Sequence, residues 1–300
     1  MAETLRALCW DVDGRDWPNR HASRFVEAAG LRWHVQVMGQ GPLLLLVHGT
    51  GASTHSWRDL APLLAGHFQV VACDLPGHGF TTTPEPARLS MPGMAEALDR
   101  LLQQLGMAPE WAVGHSAGVA VLARMCLDGR LAPRLLVSLN GALLPLGGMR
   151  NPAFASFARV FATGNWLPRL FAQRAAADPA VVERMLAQTG SRLDAEGLAL
   201  YRLLAANPAH SRAALAMMSM WDPRPLERDL PRLRVPLALL AGSEDRMILP
   251  GEAARVRTLV PGARVHLLRG LGHLAHEERP AEIAGLIQQL RAEVEDGFPS

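Results

Sequence analysis

The chain has 300 residues, 49% hydrophobic and 19% charged, enough to close a large core near the upper size of a single domain. Its 30 basic and 28 acidic residues leave a formal net charge of +2, with no dense basic stripe interleaved with aromatics, which argues against nucleic acid as a partner. Cys9, Cys73 and Cys126 have neither metal-ligand spacing nor an even count, so no disulfide framework is expected and the cytoplasm is the expected compartment; no secretory leader is legible, and no apolar run approaches the ~20 residues that span a bilayer.

Residues 1–30 are charged, carry Trp10 and Trp17 without clear periodicity, and read as an irregular arm on the domain. Leu31–Met38 alternates as a strand, MGQG turns, and Leu43–Val47 is apolar on both faces, as the middle of a parallel sheet requires. The pattern then repeats: helix 55–65 and strand 68–74, helix 90–105 and strand 111–115, helix 117–129 and strand 135–140. Each helix is long enough for a right-handed crossover. Between 143 and 230 helical patterns replace strands, near 179–189, near 194–206 and over the Met-rich AALAMMSMW. Strand 237–241, helix 250–259, strand 264–270 and a last helix near 277–295 resume the alternation. The expectation is an α/β core, 1–142 and 231–300, with a mostly parallel sheet, flanking helices and an inserted helical lid, 143–230, over the carboxyl ends of the strands.

Gly114-His115-Ser116-Ala117-Gly118 lies between a predicted strand and a predicted helix. Small residues two before and two after the serine permit the tight turn that lifts its hydroxyl off the sheet, and the N–H of Ala117 opens a helix toward a developing oxyanion. A serine nucleophile needs a base, and the base an orienting acid, here expected later in the chain with the acid first. Asp245 in AGSEDRMI and His273 in GLGHLAHE each follow a strand and satisfy that order. Glu244 is the rival acid. His276 is expected in the last helix with a capping or surface role, and His115 is expected to pack or hydrogen-bond beneath the serine rather than titrate.

In His48-Gly49-Thr50-Gly51 the N–H of Thr50 is the candidate second oxyanion donor, with Gly51 the alternative. No lysine follows to make a phosphate loop. Asp74-Leu75-Pro76-Gly77-His78-Gly79 reads as a structural turn, with Asp74 bonding to backbone. His48, His78 and His273 lack a carboxylate or thiolate at ligand spacing, so neither a catalytic metal nor a cofactor is expected. The insertion is rich in aromatics and Met with few charges; Gly49, His115, Phe154, Trp166, Met217 and Trp221 are the residues expected to border a large, apolar substrate.

HGTGAS, DLPGHG, GHSAG, GSEDR and GLGHLAHEERP together resemble the α/β-hydrolase superfamily, with Ser116, Asp245 and His273 matching its triad. A serine nucleophile sets the chain apart from the haloalkane dehalogenase and epoxide hydrolase branches, and esterase chemistry fits better. A closer resemblance is carried by DGRDWPNRHASRFVEAAGLRWHVQVMGQGP at 13–42, HGTGASTHSWRDLAPLLA at 48–65, VGHSAGVAVLARMCLDG at 113–129, LVSLNGALLP at 136–145 and TGSRLDAEGLALYRLL at 189–204. With AALAMMSMWDPRPLERDLPRLRVPL, these look like the magnesium-chelatase accessory proteins of bacteriochlorophyll biosynthesis. That resemblance implies a role near magnesium insertion, a porphyrin or porphyrin ester as ligand, chelatase subunits as partners, and peripheral association with the photosynthetic membrane. Two other readings stay open: a porphyrin- or chelatase-binding accessory without catalysis, and a serine hydrolase that cleaves C–C bonds.

Overall fold

The computed structural model describes residues 6–145 and 166–297. Among them eight strands form one sheet: β1 (Ser23–Ala28), β2 (Leu31–Met38), β3 (Leu43–Val47), β4 (Gln69–Cys73), β5 (Trp111–His115), β6 (Leu135–Leu139), β7 (Leu237–Gly242) and β8 (Arg264–Leu268). Their order is β1-β2-β4-β3-β5-β6-β7-β8; β2 runs antiparallel to both neighbours and every other pairing is parallel. The mixed, mostly parallel sheet is the architecture expected from the alternation of strands and helices.

Helices cover both faces, and β3 shows why its sequence is uniformly apolar. Leu43, Leu45 and Val47 enter the core under helices Met91–Leu105 and Ala117–Leu127, while Leu44 and Leu46 enter the one under Leu60–Ala65 and Pro280–Glu295. Leu136 on β6 points to the first core, and Leu135, Val137 and Leu139 to the second. All three central strands are buried along their whole length.

Three local expectations are corrected. The arm is not irregular throughout: Ser23–Ala28 is a strand, joined to β2 by the two-residue turn Ala29-Gly30, whose φ angles of 53° and 72° give the twist a tight antiparallel hairpin needs. Ala-Gly is a weak turn signal beside Asn-Gly, which hid the hairpin. The helix expected over 55–65 is a 3-10 turn, Thr54–Trp57, followed by helix Leu60–Ala65; the Thr54 N–H is given to Asp74 Oδ1 at 2.7 Å and the turn closes from Ser56 N–H to Ser53 C=O. The last helix is broken into Ala275–Glu278 and Pro280–Glu295, because Pro280 drives Arg279 out of the helical region to φ −140°, ψ 68°.

Between β6 and β7 the described part of the insertion is helical: Trp166–Ala177, Pro179–Ala187, Ala195–Ala205, Pro208–Met220 and Arg224–Asp229. Asp178, Asp194 and Asn207 cap the second, third and fourth of these, each accepting a backbone N–H of the first turn. The insertion contacts the loops after β3, β4, β7 and β8, which puts it at the carboxyl ends of the strands. Phe154 lies outside the described residues, as does the side chain of Trp166. Among the described residues no helix is long and apolar enough to cross a membrane.

Candidate active site

Ser116 stands between β5 and helix Ala117–Leu127 with φ 50° and ψ −119°, a conformation that L-residues rarely adopt. The glycines around it explain how that turn is tolerated. A Cβ on Gly114 would come 2.6 Å from the Val119 nitrogen, and one on Gly118 would run into the carbonyl oxygens of Val47 and His48. Helix, β5 and β3 therefore approach each other more closely than any side chain allows. The turn is tied down by Ser116 N–H to Leu139 C=O at 3.0 Å and by Ala142 N–H to Ser116 C=O at 3.0 Å.

Asp245 and His273 meet: His273 Nδ1–H donates to Asp245 Oδ2 at 2.8 Å, while Asp245 Oδ1 accepts the N–H groups of Met247 and Ile248 at 2.8 and 2.9 Å. Asp245 is buried with both carboxylate oxygens engaged, and accepting from Nδ1–H it fixes the tautomer of His273 that carries its proton on Nδ1. Glu244, the rival acid, makes its polar side-chain contact with Ser243 at the surface. His115 Nε2–H donates to the carbonyl of His273 at 2.9 Å, so the residue before Ser116 is hydrogen-bonded to the backbone of residue 273. Among the described residues the Ser116 hydroxyl and His273 are not hydrogen-bonded to each other, and such links commonly tighten only on binding.

The loop after β3 lies against the elbow. A Cβ on Gly49 would be 2.9 Å from Ser116 Cβ and 3.0 Å from His115 Nδ1, so the backbone just before Thr50 runs against the elbow. The insertion clamps this loop from above. Thr50 Oγ1–H donates to Met217 Sδ at 3.4 Å; His210 Nε2–H donates to Gly51 C=O and His210 Nδ1 accepts from Gly79 N–H, both at 3.1 Å. Met217 is fully buried, and Trp221 packs against the first core. Burial pulls the His210 pKa down to about 4, and burial likewise lowers that of His48, whose Nδ1–H donates to Gly49 C=O and whose Nε2 accepts from Leu75 N–H. Both rings are neutral, and each uses its two nitrogens on backbone.

Over residues 44–286 the chain matches the model of the alpha/beta hydrolase family. The chain belongs to that family. A relative, the magnesium-chelatase 30 kDa subunit of Rhodobacter capsulatus, is 36% identical over 274 residues, which covers 91% of this chain and 95% of the relative. Similar solved folds include a putative lipase from Acinetobacter baumannii (TM-score 0.76, 19% identity, 99% of both chains) and a thermophilic esterase from Thermogutta terrifontis (TM-score 0.72, 23% identity, 91% of this chain and 98% of that one). At those identities they speak for the fold alone.

Several buried polar contacts of this α/β-hydrolase were missed in the sequence. Asp74 does bond to backbone, accepting from Thr54 and Phe80, but it also pairs with the buried His34 at 2.8 Å. Burial alone would raise its pKa; His34, His48 and the Phe80 N–H outweigh burial and hold the carboxyl far below the usual range. His276 is not at the surface: with Glu277 it is buried, Trp57 lies against its ring, and its Nε2 is 2.8 Å from Ser56 Oγ. Burial brings its pKa to about 3. Glu277 accepts from Ser56 and Tyr201 through Oε1 and from Arg58 through Oε2, at 2.7, 2.8 and 2.6 Å. Asn140 also escaped notice. It follows β6 with φ 47° and donates to the carbonyls of both Gly272 and His273. Only a short run of unremarkable polar letters marked these positions, and their partners are far away in the chain.

Proposed function

We propose that this chain is a serine hydrolase of esterase type. Ser116 is the nucleophile, His273 the general base and Asp245 the acid that orients it; the N–H groups of Ala117 and Thr50 receive the oxyanion. The observation that carries this reading is the 2.8 Å bond from His273 Nδ1–H to the fully engaged Asp245, on the strand edge where the strained Ser116 turn ends β5. His273 Nε2 takes the Ser116 Oγ proton as the oxygen attacks an ester carbonyl; the C–O bond then breaks and the alcohol leaves with that proton. Water, deprotonated by the same nitrogen, attacks the acyl-enzyme and releases the acid and Ser116. Each oxyanion donor contributes a factor of roughly 10²–10³ in rate. The helical insertion is the lid of the site, and a large apolar ester is the substrate class its Met and aromatic content suits.

The physiological setting is a step linked to magnesium chelatase, with a porphyrin or porphyrin ester as ligand and chelatase subunits as partners. Support for it is the likeness along nearly the whole chain to the Rhodobacter capsulatus protein, whose name is that of a chelatase subunit. The same likeness favours a second reading, an accessory protein that binds in this cleft without turnover. A fluorophosphonate probe separates the two. The folded wild-type chain is expected to be labelled on Ser116, and Ser116→Ala to lose all labelling; a wild type that stays unlabelled removes the hydrolase reading. Ser116→Ala that restores pigment synthesis as well as wild type, in a bacteriochlorophyll-producing strain lacking its own relative of this chain, supports the accessory.

A further inference from the structure

The backbone carbonyl of His273 accepts two side-chain donors. His115 Nε2–H reaches it at 2.9 Å from the end of β5, and Asn140 Nδ2–H at 2.8 Å from the end of β6. Asn140 is itself held in a left-handed conformation, its Oδ1 accepts the Gly242 N–H at 2.7 Å from the end of β7, and its Nδ2 also donates to Gly272 C=O at 3.0 Å. One asparagine thus joins the ends of β6 and β7 to the histidine loop that follows β8. Neither donor is hydrogen-bonded to the imidazole of His273; both grip the peptide from which that imidazole hangs.

His115 is chain neighbour to the nucleophile, so its bond to residue 273 sets the spacing between base and serine directly. Its tautomer follows from the geometry, because Nε2 can donate to a carbonyl only when it carries the proton. The bare Nδ1 then faces the Cα of Gly49, where even a methyl group would sit 3.0 Å away. Among the described residues Nδ1 has no partner, and a neutral ring tolerates that arrangement far better than a charged one. The His115 ring lies against those of His273 and His276, with centroids 4.7 and 4.5 Å away.

We propose that His115 and Asn140 are positioning residues for the base: a two-donor clamp on the His273 carbonyl that locks the imidazole at working distance from Ser116. The inference rests on the hydrolase reading above. Loss of either donor frees the loop, and a displacement near 1 Å costs on the order of 10²-fold in rate.

The test is the second-order rate constant for fluorophosphonate labelling of the full chain, followed from pH 5 to 9, in wild type, His115→Met, His115→Gln and Asn140→Leu. His115→Met keeps the ring's bulk without a donor and is expected to slow labelling roughly 10- to 100-fold and to displace the pH midpoint of labelling, because the Asp245–His273 bond loosens with it. His115→Gln, whose amide nitrogen overlays Nε2, is expected to recover most of the rate and the wild-type midpoint. Asn140→Leu is expected to behave like His115→Met, with urea unfolding confirming that each variant is folded at the assay temperature. Labelling of His115→Met and Asn140→Leu with the wild-type rate and midpoint overturns the clamp while leaving the hydrolase reading intact. Absence of labelling in the wild type overturns both.

Discussion

Among the described residues, two of the contacts between the insertion and the core are built from different chemistry. In front, helix Pro208–Met220 sits on the loops after β3 and β4 through neutral, buried groups: His210 between Gly51 and Gly79, Met217 on Thr50, and Ala213 where a Cβ on Gly77 would be 2.6 Å away. Behind, the turn Thr189-Gly190-Ser191 lies on the Asp245 and His273 loops. Thr189 C=O accepts from Arg246 and His273 N–H at 3.2 and 3.3 Å, and Ser191 Oγ accepts from Leu274 N–H at 2.7 Å. Nearby, helix Ala195–Ala205 brings Tyr201 to Glu277, and its cap Asp194 to Arg58. The rear contact is charged and hydrogen-bonded; the front one is packed and uncharged. Each therefore fails under its own kind of perturbation.

The rear contact is the more costly to break by substitution. Glu277→Gln keeps the shape but removes the carboxylate charge from beside the buried Arg58 guanidinium, whose remaining partners Asp59 and Asp194 are largely exposed. Removing one partner of a buried pair costs about 3–5 kcal/mol, so urea unfolding is expected to show a loss of that order. An unchanged midpoint would mean that Asp59 and Asp194 suffice. A smaller effect is expected from Gly190→Ala, since Gly190 has φ 86° and a Cβ there would strike the Glu244 carbonyl beside Asp245. Roughly 1–3 kcal/mol should be lost, with the rate of Ser116 labelling falling in step because the acid loop moves. Labelling that stays at the wild-type rate would show that the turn can shift without disturbing the acid.

The front contact is expected to respond to acid instead. His210 has a folded pKa of about 4 against an unfolded 6.5, so between those values the unfolded chain binds more protons than the folded one. Its contribution is complete above pH 6.5 and declines as pH falls toward 4. From pH 7 to 5 the drop should be on the order of 1–2 kcal/mol, and His210→Gln should remove that share of the slope; an identical pH dependence in the variant would assign the slope to other buried histidines such as His276.

What could be read in advance separates along the same lines. The strands of the sheet centre were legible because burial on both faces leaves only apolar residues, as in Leu43–Val47, and the elbow was legible because glycines two residues either side of Ser116 are a steric necessity. The hairpin of Ser23–Ala28 was not, because its Ala29-Gly30 turn has no strong local signature. His276 was read as a capping or surface residue of the last helix, since a polar residue beside acidic neighbours ordinarily is; only Ser56, Arg58, Tyr201 and Trp57, brought from elsewhere, make its burial with Glu277 tolerable. Asn140 gave no hint at all.

By itself the sequence determined the alternation of strand and helix, the helical insertion, and the nomination of Ser116, Asp245 and His273 for one edge of the sheet. Only tertiary structure decided how the proposed base is held, because Asn140, His115 and Thr189 act on it through single hydrogen bonds to backbone atoms. Such bonds ask for one donor or acceptor at one point in space, and that demand leaves no periodicity and no spacing in the chain to read.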